Sequence, residues 1–243
     1  MKRHIGLTIL SLLAASAHAA SAGTAGQPSP ASTAAVTIAA PQPRQQTAVA
    51  LSSTAVIEKL REWDTKLESL SCGFTQSVKF GDSGMGSTIE GLVRYRKPDL
   101  LRVEHTAPRS QIVVTDKKTI SVYSPQDRQL VKSDWTSWIS QQSAIFSGVT
   151  NFGSYGKIIA DHGIKVTTGE TGVAVTLSPV SGKQSYTLTL LLDPEMDYFP
   201  YAIEMKIGTT DVKTTLKKIT INSGIPDGVF TLNPPQGTKI INF

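Results

Sequence analysis

The chain has 243 residues and a formal net charge of +5, but its first 50 residues contain no Asp or Glu. That segment contains three of the 24 basic residues, Lys2, Arg3 and Arg44, so the rest of the chain has 21 basic and 19 acidic residues. This nearly balanced charge gives little electrostatic support for nucleic-acid binding. The single cysteine excludes a disulfide framework, and two histidines beyond residue 50 argue against a Cys/His zinc site. We therefore expect neither a metal nor a cofactor.

The first 19 residues have the pattern of a secretory signal peptide: basic residues 2–4, an apolar stretch over 5–15, and the small-x-small site at 17–19. The apolar stretch is shorter than the roughly 20 residues that span a bilayer. Because no cysteine stands at the cleavage site, we expect an unanchored protein. The short leader and the lack of an Asn-x-Ser/Thr glycosylation acceptor favour the bacterial periplasm. Residues 20–50, rich in Ala, Pro, Ser and Thr, are expected to be a disordered linker, and residues 51–243 the folded domain.

Hydrophobic periodicity predicts a helix followed by many strands. Apolar residues at helical spacing predict an amphipathic helix over 52–71, ended by Gly73, and from Phe74 the period changes to two. Ten further strands are predicted in two series, over 88–96, 101–106, 111–115, 119–123 and 128–132, and over 164–168, 173–178, 186–193, 201–207 and 212–222. Their close spacing leaves no room for crossover helices, so we expect antiparallel pairing.

A second helix is predicted between the two series of strands, over residues 133–148. It carries the large apolar residues Trp135, Trp138, Ile139, Ile145 and Phe146 on one face. About eleven strands in one meandering sheet must curl or close. The sequence therefore predicts an α+β fold, with helices capping the mouth of a curved antiparallel sheet.

Catalytic motifs are missing from the sequence: G-x-S-x-G, H-E-x-x-H, G-x-x-x-x-G-K and C-x-x-C do not occur. Ser154 and Lys157 satisfy S-x-x-K without its companion motifs, and His105 on a strand and His162 in a turn are interpreted as structural. The acidic turn at 193–197 lacks the oxygen-ligand spacing of a calcium loop. We expect no enzyme, and a hydrolase that uses Ser154 or His105 is the less favoured alternative.

The predicted strands supply many apolar side chains for the concave side of a curved sheet. They are Leu101, Val103, Ile112, Val114, Ile120, Val122 and Leu130. Strands of six to eight residues are about 20 to 26 Å long, close to an extended long-chain acyl group. Periodicity alone permits either a lipid site or the ordinary core of a closed barrel. Of the two, the ordinary core is the simpler interpretation.

An ordered set of short motifs follows the first helix. It comprises Gly73-Phe74-Thr75-Gln76, Arg96-Lys97-Pro98, Leu101-Arg102-Val103, Val114-Thr115-Asp116, Tyr123-Ser124-Pro125, and Phe230-Thr231-Leu232 with Pro234-Pro235-Gln236-Gly237. Over residues 51–241 this order resembles the LolA family of periplasmic lipoprotein carriers. The resemblance implies an unclosed half β-barrel of about eleven antiparallel strands, with a helical lid over an apolar cavity. It also implies a non-enzymatic chaperone, expected to be monomeric, that moves acylated lipoproteins from an inner-membrane ABC-type release complex to an outer-membrane acceptor.

The resemblance also implies roles for individual residues. The family's Arg-Pro step corresponds to Lys97-Pro98, so Lys97, or Arg96 or Arg102 in its place, is expected to bond the lid, and Leu101 is expected at the mouth. The implied acyl cavity and lid comprise Leu101, Val103, Ile112, Val114, Val122, Trp135, Trp138, Ile139, Ile145 and Phe146. The alternative is a periplasmic sensor of lipids or lipoproteins with the same fold. Related sensors carry a second C-terminal domain, and because this chain stops at Phe243 we favour the carrier.

Overall fold

The computed structural model describes residues 51–81, 85–141, 152–169, 172–180 and 186–243, apart from the side chains of residues 140 and 141. The helices are α1 (Ser53–Lys66), α2 (Trp135–Gln141) and α3 (Tyr155–Ala160). The strands are β1 (Ser69–Phe80), β2 (Met85–Arg96), β3 (Leu100–Ala107), β4 (Gln111–Thr115), β5 (Thr119–Ser124), β6 (Gln129–Asp134), β7 (His162–Gly169), β8 (Gly172–Pro179), β9 (Tyr186–Asp193), β10 (Phe199–Ile207), β11 (Thr210–Ile221) and β12 (Lys239–Asn242). Short 3-10 turns lie at Pro194–Met196 and Asp227–Phe230.

All twelve described strands belong to one sheet, in the order β12-β6-β5-β4-β3-β2-β1-β11-β10-β9-β8-β7. β12 and β7 occupy opposite edges, so the sheet is not closed, as predicted for this α+β fold. The expectation of about eleven strands, all antiparallel, is incomplete because β12 joins β6 in parallel. β12 has only four residues, and it pairs with β6 only after the chain has crossed the sheet. Its pairing therefore leaves no local pattern in the sequence.

α1 is shorter than the sequence predicts. Ser52 caps its N-terminus as an acceptor, and the helix gives way to extended backbone at Leu67. The first strand begins at Ser69, so Gly73 lies inside β1 and does not end the helix. This difference arises because β1 pairs with both β2 and β11 along its length, and their backbone groups replace the hydrogen bonds that a longer helix would make.

The two faces of the sheet have different surroundings. The strand register aligns Leu70, Tyr95 and Leu101 across β1, β2 and β3, and all three side chains are buried on what we call the inner face. The Phe152 ring, just before α3, lies 6.1 Å from the Tyr95 ring, so the segment leading into α3 packs on that face. Arg102, one residue after Leu101, points to the opposite, outer face.

Candidate functional site

A cavity of about 360 Å³ lies between α3 and the inner face of β9 and β10. Its wall also includes Lys117 from the β4–β5 turn and Trp135 from the start of α2. β4 and β9 are six positions apart in the sheet, which is about 29 Å in a flat sheet at roughly 4.8 Å per strand. Residues from both sides can share one cavity only because the sheet curls.

The cavity wall is mixed in character. Its apolar members are Trp135, Phe152, Ile158, Leu188, Leu190, Pro200 and Ile203, and its polar or amphipathic members are Lys117, Ser154, Tyr155, Lys157, Asp161, His162 and Tyr186. The volume lies at the lower end of the range of about 300 to 1,000 Å³ that is common for small-molecule sites. The apolar half of the wall suits hydrocarbon, because binding there removes apolar surface of both wall and ligand from water, and the polar half suits a ligand that also carries a polar group.

His162 joins the C-terminal end of α3 to the sheet. Its Nδ1 lies 2.6 Å from the Ile158 carbonyl oxygen, and its Nε2 lies 2.8 Å from the Tyr186 hydroxyl. Because a carbonyl only accepts, Nδ1 donates to Ile158, and in the neutral ring Nε2 then accepts from the Tyr186 hydroxyl. Burial raises the pKa of Tyr186, and the charge of Asp161 raises it further. Both ring nitrogens of His162 are thus engaged in holding α3 in place.

The sequence-predicted cavity residues divide between the two faces of the sheet. Leu101, Val103 and Val122 are buried on the inner face, and Leu101 is only 2% exposed, so it lies in the core and not at an open mouth. Ile112 and Val114 lie on the outer face, where they pair with Glu104 and Arg102. This split follows from the register of β4, which places Val113 beside Val103.

The predicted lid helix is described only in part. Trp135 lines the cavity, and Trp138 and Ile139 are half-buried on α2, which packs against β5 and β6. Ile145 and Phe146 lie outside the described residues.

The three predicted lid-bonding residues have different partners. Lys97 Nζ donates to the Thr65 carbonyl at the end of α1 (3.1 Å) and lies 3.2 Å from a Glu68 carboxylate oxygen. Arg96 and Arg102 instead lie on the outer face. Their guanidinium groups donate to backbone carbonyls of the segment after β11, at Ile225 (2.9 Å) and Val229 (3.1 Å) respectively. Of these three side chains, Lys97 bonds the α-helix α1, whereas Arg96 and Arg102 bond the segment that carries the 3-10 turn at Asp227–Phe230.

Of the residues weighed for catalysis or cation binding, Ser154, Lys157 and His162 line the cavity, whereas His105 and the acidic turn lie elsewhere. His105 packs edge to face with Phe74, at 5.9 Å between ring centres, and burial lowers its pKa, although a hydrogen bond with Gln111 partly offsets the shift. In the acidic turn, the Asp197 carboxylate pairs with Lys59 (3.1 Å) and Lys66 (2.8 Å). Among the described residues no group of three or more His, Cys, Asp or Glu is placed to hold a metal ion.

Several cavity residues were not predicted from the sequence. Leu188, Leu190 and Ile203 lie on strands that the sequence does predict. Burial alternates along β9, whereas in β10 the neighbouring residues Ala202 and Ile203 are both buried. Ile158 lies on α3, a six-residue helix that the sequence analysis does not identify. Alternation along a strand indicates which of its residues are buried. It does not indicate which buried residues face a cavity, because that depends on the curl of the sheet.

Sequence comparisons with known proteins point to one family. The family described as "Outer membrane lipoprotein carrier protein LolA" matches residues 65–194, more than half of the chain. The outer-membrane lipoprotein carrier protein of Pasteurella multocida is 25% identical over 195 residues, which cover 78% of this chain and 90% of that protein. The protein of the same name from Neisseria meningitidis serogroup B is 21% identical over 197 residues, covering 80% and 91%.

Among solved structures, a LolA superfamily protein from Nitrosomonas europaea matches with a TM-score of 0.44 and 13% sequence identity, covering 75% of this chain and 99% of that one. None of the helices in the described part of the chain has the length and hydropathy of a membrane-spanning segment. The family match runs from the end of α1 through β9, so it includes α3 and β9 of the cavity wall but not β10. The chain belongs to the LolA family of outer membrane lipoprotein carrier proteins.

Proposed function

We propose that the protein is a periplasmic carrier that shelters lipoprotein acyl chains in the cavity beside α3. It would act as a monomer and pass its cargo from an inner-membrane ABC-type release complex to an outer-membrane acceptor. The observation that carries this proposal is the apolar wall of the cavity, which includes Ile158, Leu188 and Ile203. Membership of a carrier family supports the choice of cargo. Transport of this kind makes and breaks no covalent bond, so it requires neither a catalytic residue nor a cofactor.

The energetics of acyl binding favour partial shelter of the cargo. Each buried methylene contributes about 0.8 kcal/mol, so three fully buried long chains would gain on the order of 30 kcal/mol before costs. Non-covalent affinities level off near roughly 20 kcal/mol, and a carrier bound that tightly could not release its cargo. A cavity of about 360 Å³ suits incomplete burial. Transfer then requires only that the acceptor bind the chains better than the carrier does.

Lys97 is proposed to help hold α1 over the inner face. Its Nζ donates to the Thr65 carbonyl in the last turn of α1, at the position where the family resemblance implies a bond to the lid. Lysine lacks the planar five-donor group of arginine, so this contact is a single charged hydrogen bond. We propose that α1 is consequently held less tightly than in relatives with arginine at this position.

Uptake of an apolar fluorescent probe tests the proposed function. The chain from residue 51 onward is mixed with 1-N-phenylnaphthylamine, and we expect saturable fluorescence that a triacylated lipopeptide reverses. Ile158→Asn removes an apolar wall residue that is only half-buried, so we expect about tenfold weaker probe binding with an unchanged urea midpoint.

The matched control is Ile164→Asn, the same change at an isoleucine of β7 that is 42% exposed and is not part of the cavity wall. This variant should bind the probe like the unsubstituted chain. A folded protein that takes up no probe, or equal losses in the two variants, would contradict the proposal.

A further inference from the structure

The carboxylate of Asp64 in α1 holds the beginning of α3. One carboxylate oxygen accepts a hydrogen bond from the Tyr155 N–H (2.6 Å), and the other accepts from the Gly156 N–H (2.7 Å). Both bonds join segments about ninety residues apart in the chain, and hydrogen bonds to a charged acceptor are stronger than neutral ones. We call the Asp64 carboxylate together with these two N–H groups the α1–α3 latch.

Gly156 makes room for this carboxylate. A Cβ atom at residue 156 would lie 2.8 Å from Asp64 Oδ2, closer than such atoms approach in proteins. The backbone at Gly156 is otherwise ordinary helix, in which alanine is about 1 kcal/mol more favourable than glycine. Glycine at this position therefore opposes helix stability and favours the contact with Asp64.

α1 is fixed to the rest of the fold independently of α3. Lys97 donates to the Thr65 carbonyl (3.1 Å), the side-chain amide of Asn222 donates to the Lys66 carbonyl (2.8 Å), and Lys66 pairs with Asp197 (2.8 Å). These contacts come from the β2–β3 turn, the end of β11 and the β9–β10 turn. α1 can thus act as a fixed support to which α3 is attached.

α3 is attached at its two ends in different ways. Its C-terminal end runs through Asp161 directly into β7, and His162 bonds the Ile158 carbonyl there (2.6 Å). Its N-terminal end is held to α1 by the latch, and between these ends Tyr155 and Ile158 contribute to the cavity wall. Breaking the latch would remove the charged hydrogen bonds at the N-terminal end of α3 and leave only the packing of the buried Phe152 and Tyr155 side chains there, while the C-terminal end stays covalently joined to the sheet.

We propose that Asp64 is a positioning residue that keeps α3 closed over the cavity, and that opening of the α1–α3 latch controls how fast an acyl chain enters and leaves. This inference rests on the function proposed above. With the latch open, α3 turns about the junction at Asp161 and uncovers the wall formed by Ile158. With the latch closed, the bound chain is retained.

Exchange kinetics of the probe, measured by stopped-flow fluorescence, test the latch. In Asp64→Asn an amide NH₂ replaces one of the two acceptors, and we expect the dissociation rate of 1-N-phenylnaphthylamine to rise about tenfold, equivalent to about 1.4 kcal/mol. The association rate should rise with it, so that Kd changes less than either rate. The control Glu58→Gln removes an exposed α1 carboxylate that pairs with Arg61 (2.8 Å) and should leave both rates unchanged.

Gly156→Ala separates the latch from a general effect on stability. If Gly156 only weakens α3, alanine strengthens the helix and release becomes slower or stays the same. If the latch controls exchange, the new methyl group displaces the Asp64 carboxylate and release becomes faster, as in Asp64→Asn. The double variant should then release the probe no faster than the faster single variant, because both changes break the same contact. Slower or unchanged release from Gly156→Ala, or unchanged rates in Asp64→Asn, would overturn the latch.

Amide hydrogen exchange distinguishes failure of the latch from failure of the carrier function. In the protein without ligand, the N–H groups of Tyr155 and Gly156 should exchange at least tenfold faster in Asp64→Asn than in the unsubstituted chain. If the folded protein binds no probe but this acceleration is observed, the carrier function fails and the latch stands. If the probe binds but exchange at these two amides is unchanged, the latch fails and the carrier stands.

Discussion

Gly91 in β2 determines how the inner face packs around Phe74. A Cβ atom at residue 91 would lie 2.1 Å from the Glu104 carbonyl oxygen and 2.6 Å from Phe74 Cε1. The Phe74 ring therefore occupies the space that a side chain on residue 91 would need, and its other side packs against His105. The sequence shows a glycine in an alternating strand, and only the neighbouring strands show why no larger residue fits.

Gly91→Ala should destabilise the protein by about 2 kcal/mol or more, because the methyl group overlaps both the backbone of β3 and an aromatic ring. The measurement is equilibrium urea unfolding followed by circular dichroism. Gly163→Ala is the matched control, since its Cβ would meet only the Ser178 carbonyl oxygen at 3.6 Å, an ordinary contact. Similar midpoints for the two variants would show that the Phe74 ring moves aside without cost.

At the scale of the element, the segment after β11 crosses the outer face and fastens the far edge of the sheet. Arg96 donates to the Ile225 carbonyl (2.9 Å), forms an ion pair with Asp227, and stacks over the Phe230 ring at 5.2 Å. The segment then reaches β6 and pairs with it as β12. A parallel pair requires a crossover, and here the crossover is an extended segment held by arginine side chains and not a helix.

Arg96→Gln should loosen this segment, with faster amide hydrogen exchange over residues 225–230 and about 1 kcal/mol lower stability. The expected loss of stability is small because Asp227 is largely exposed, and exposed ion pairs contribute little to the free energy of unfolding. Mass spectrometry of exchanged peptides measures the first effect and urea unfolding the second. As the comparison variant, Arg94→Gln removes only a 3.4 Å contact with Glu104 and should change neither quantity. Equal exchange in the two variants would mean that Arg96 does not hold the segment.

At the scale of the whole molecule, the composition of the sequence changes at residue 50. Acidic residues first appear after that point, and residues Leu51–Phe243 form a compact unit that contains all the described helices and strands. A unit of about 190 residues is large enough to fold around one core without the preceding segment.

A chain that begins at Leu51 should unfold in a single cooperative transition, with the same urea midpoint as a chain that begins at residue 20. The reason is that α1, which starts at Ser53, and the sheet supply the buried apolar surface. Circular dichroism and tryptophan fluorescence should report coincident transitions for both chains. A lower midpoint for the shorter chain would show that residues 20–50 take part in the fold.

The local pattern of residues predicted most of the elements but little of the cavity. Strands β2 to β11 follow from β-type segments between turn residues, because most of them bury one side and so alternate with a period of two. The edge strand β7, which is exposed along most of its length, and β10, which is buried on both sides, depart from this pattern. α3 has only six residues, including Gly156, and so carries too little periodicity to be recognised. The sequence prediction places Ile112 and Val114 in the cavity, whereas the register of β4 places them on the outer face. A shift of one residue exchanges the two sides of a strand, so the pattern alone does not decide which side faces the cavity.

The sequence by itself determined the order of strands β1 to β11, the start of α1 and the family, because these depend on local periodicity and on short motifs. The tertiary structure decided which side chains meet. Lys117 and Leu188 share one cavity, and Asp64 reaches Tyr155, only because a twelve-stranded sheet curls and brings segments from distant parts of the chain together. No local pattern carries this information, since curvature and register arise from the packing of all the strands at once.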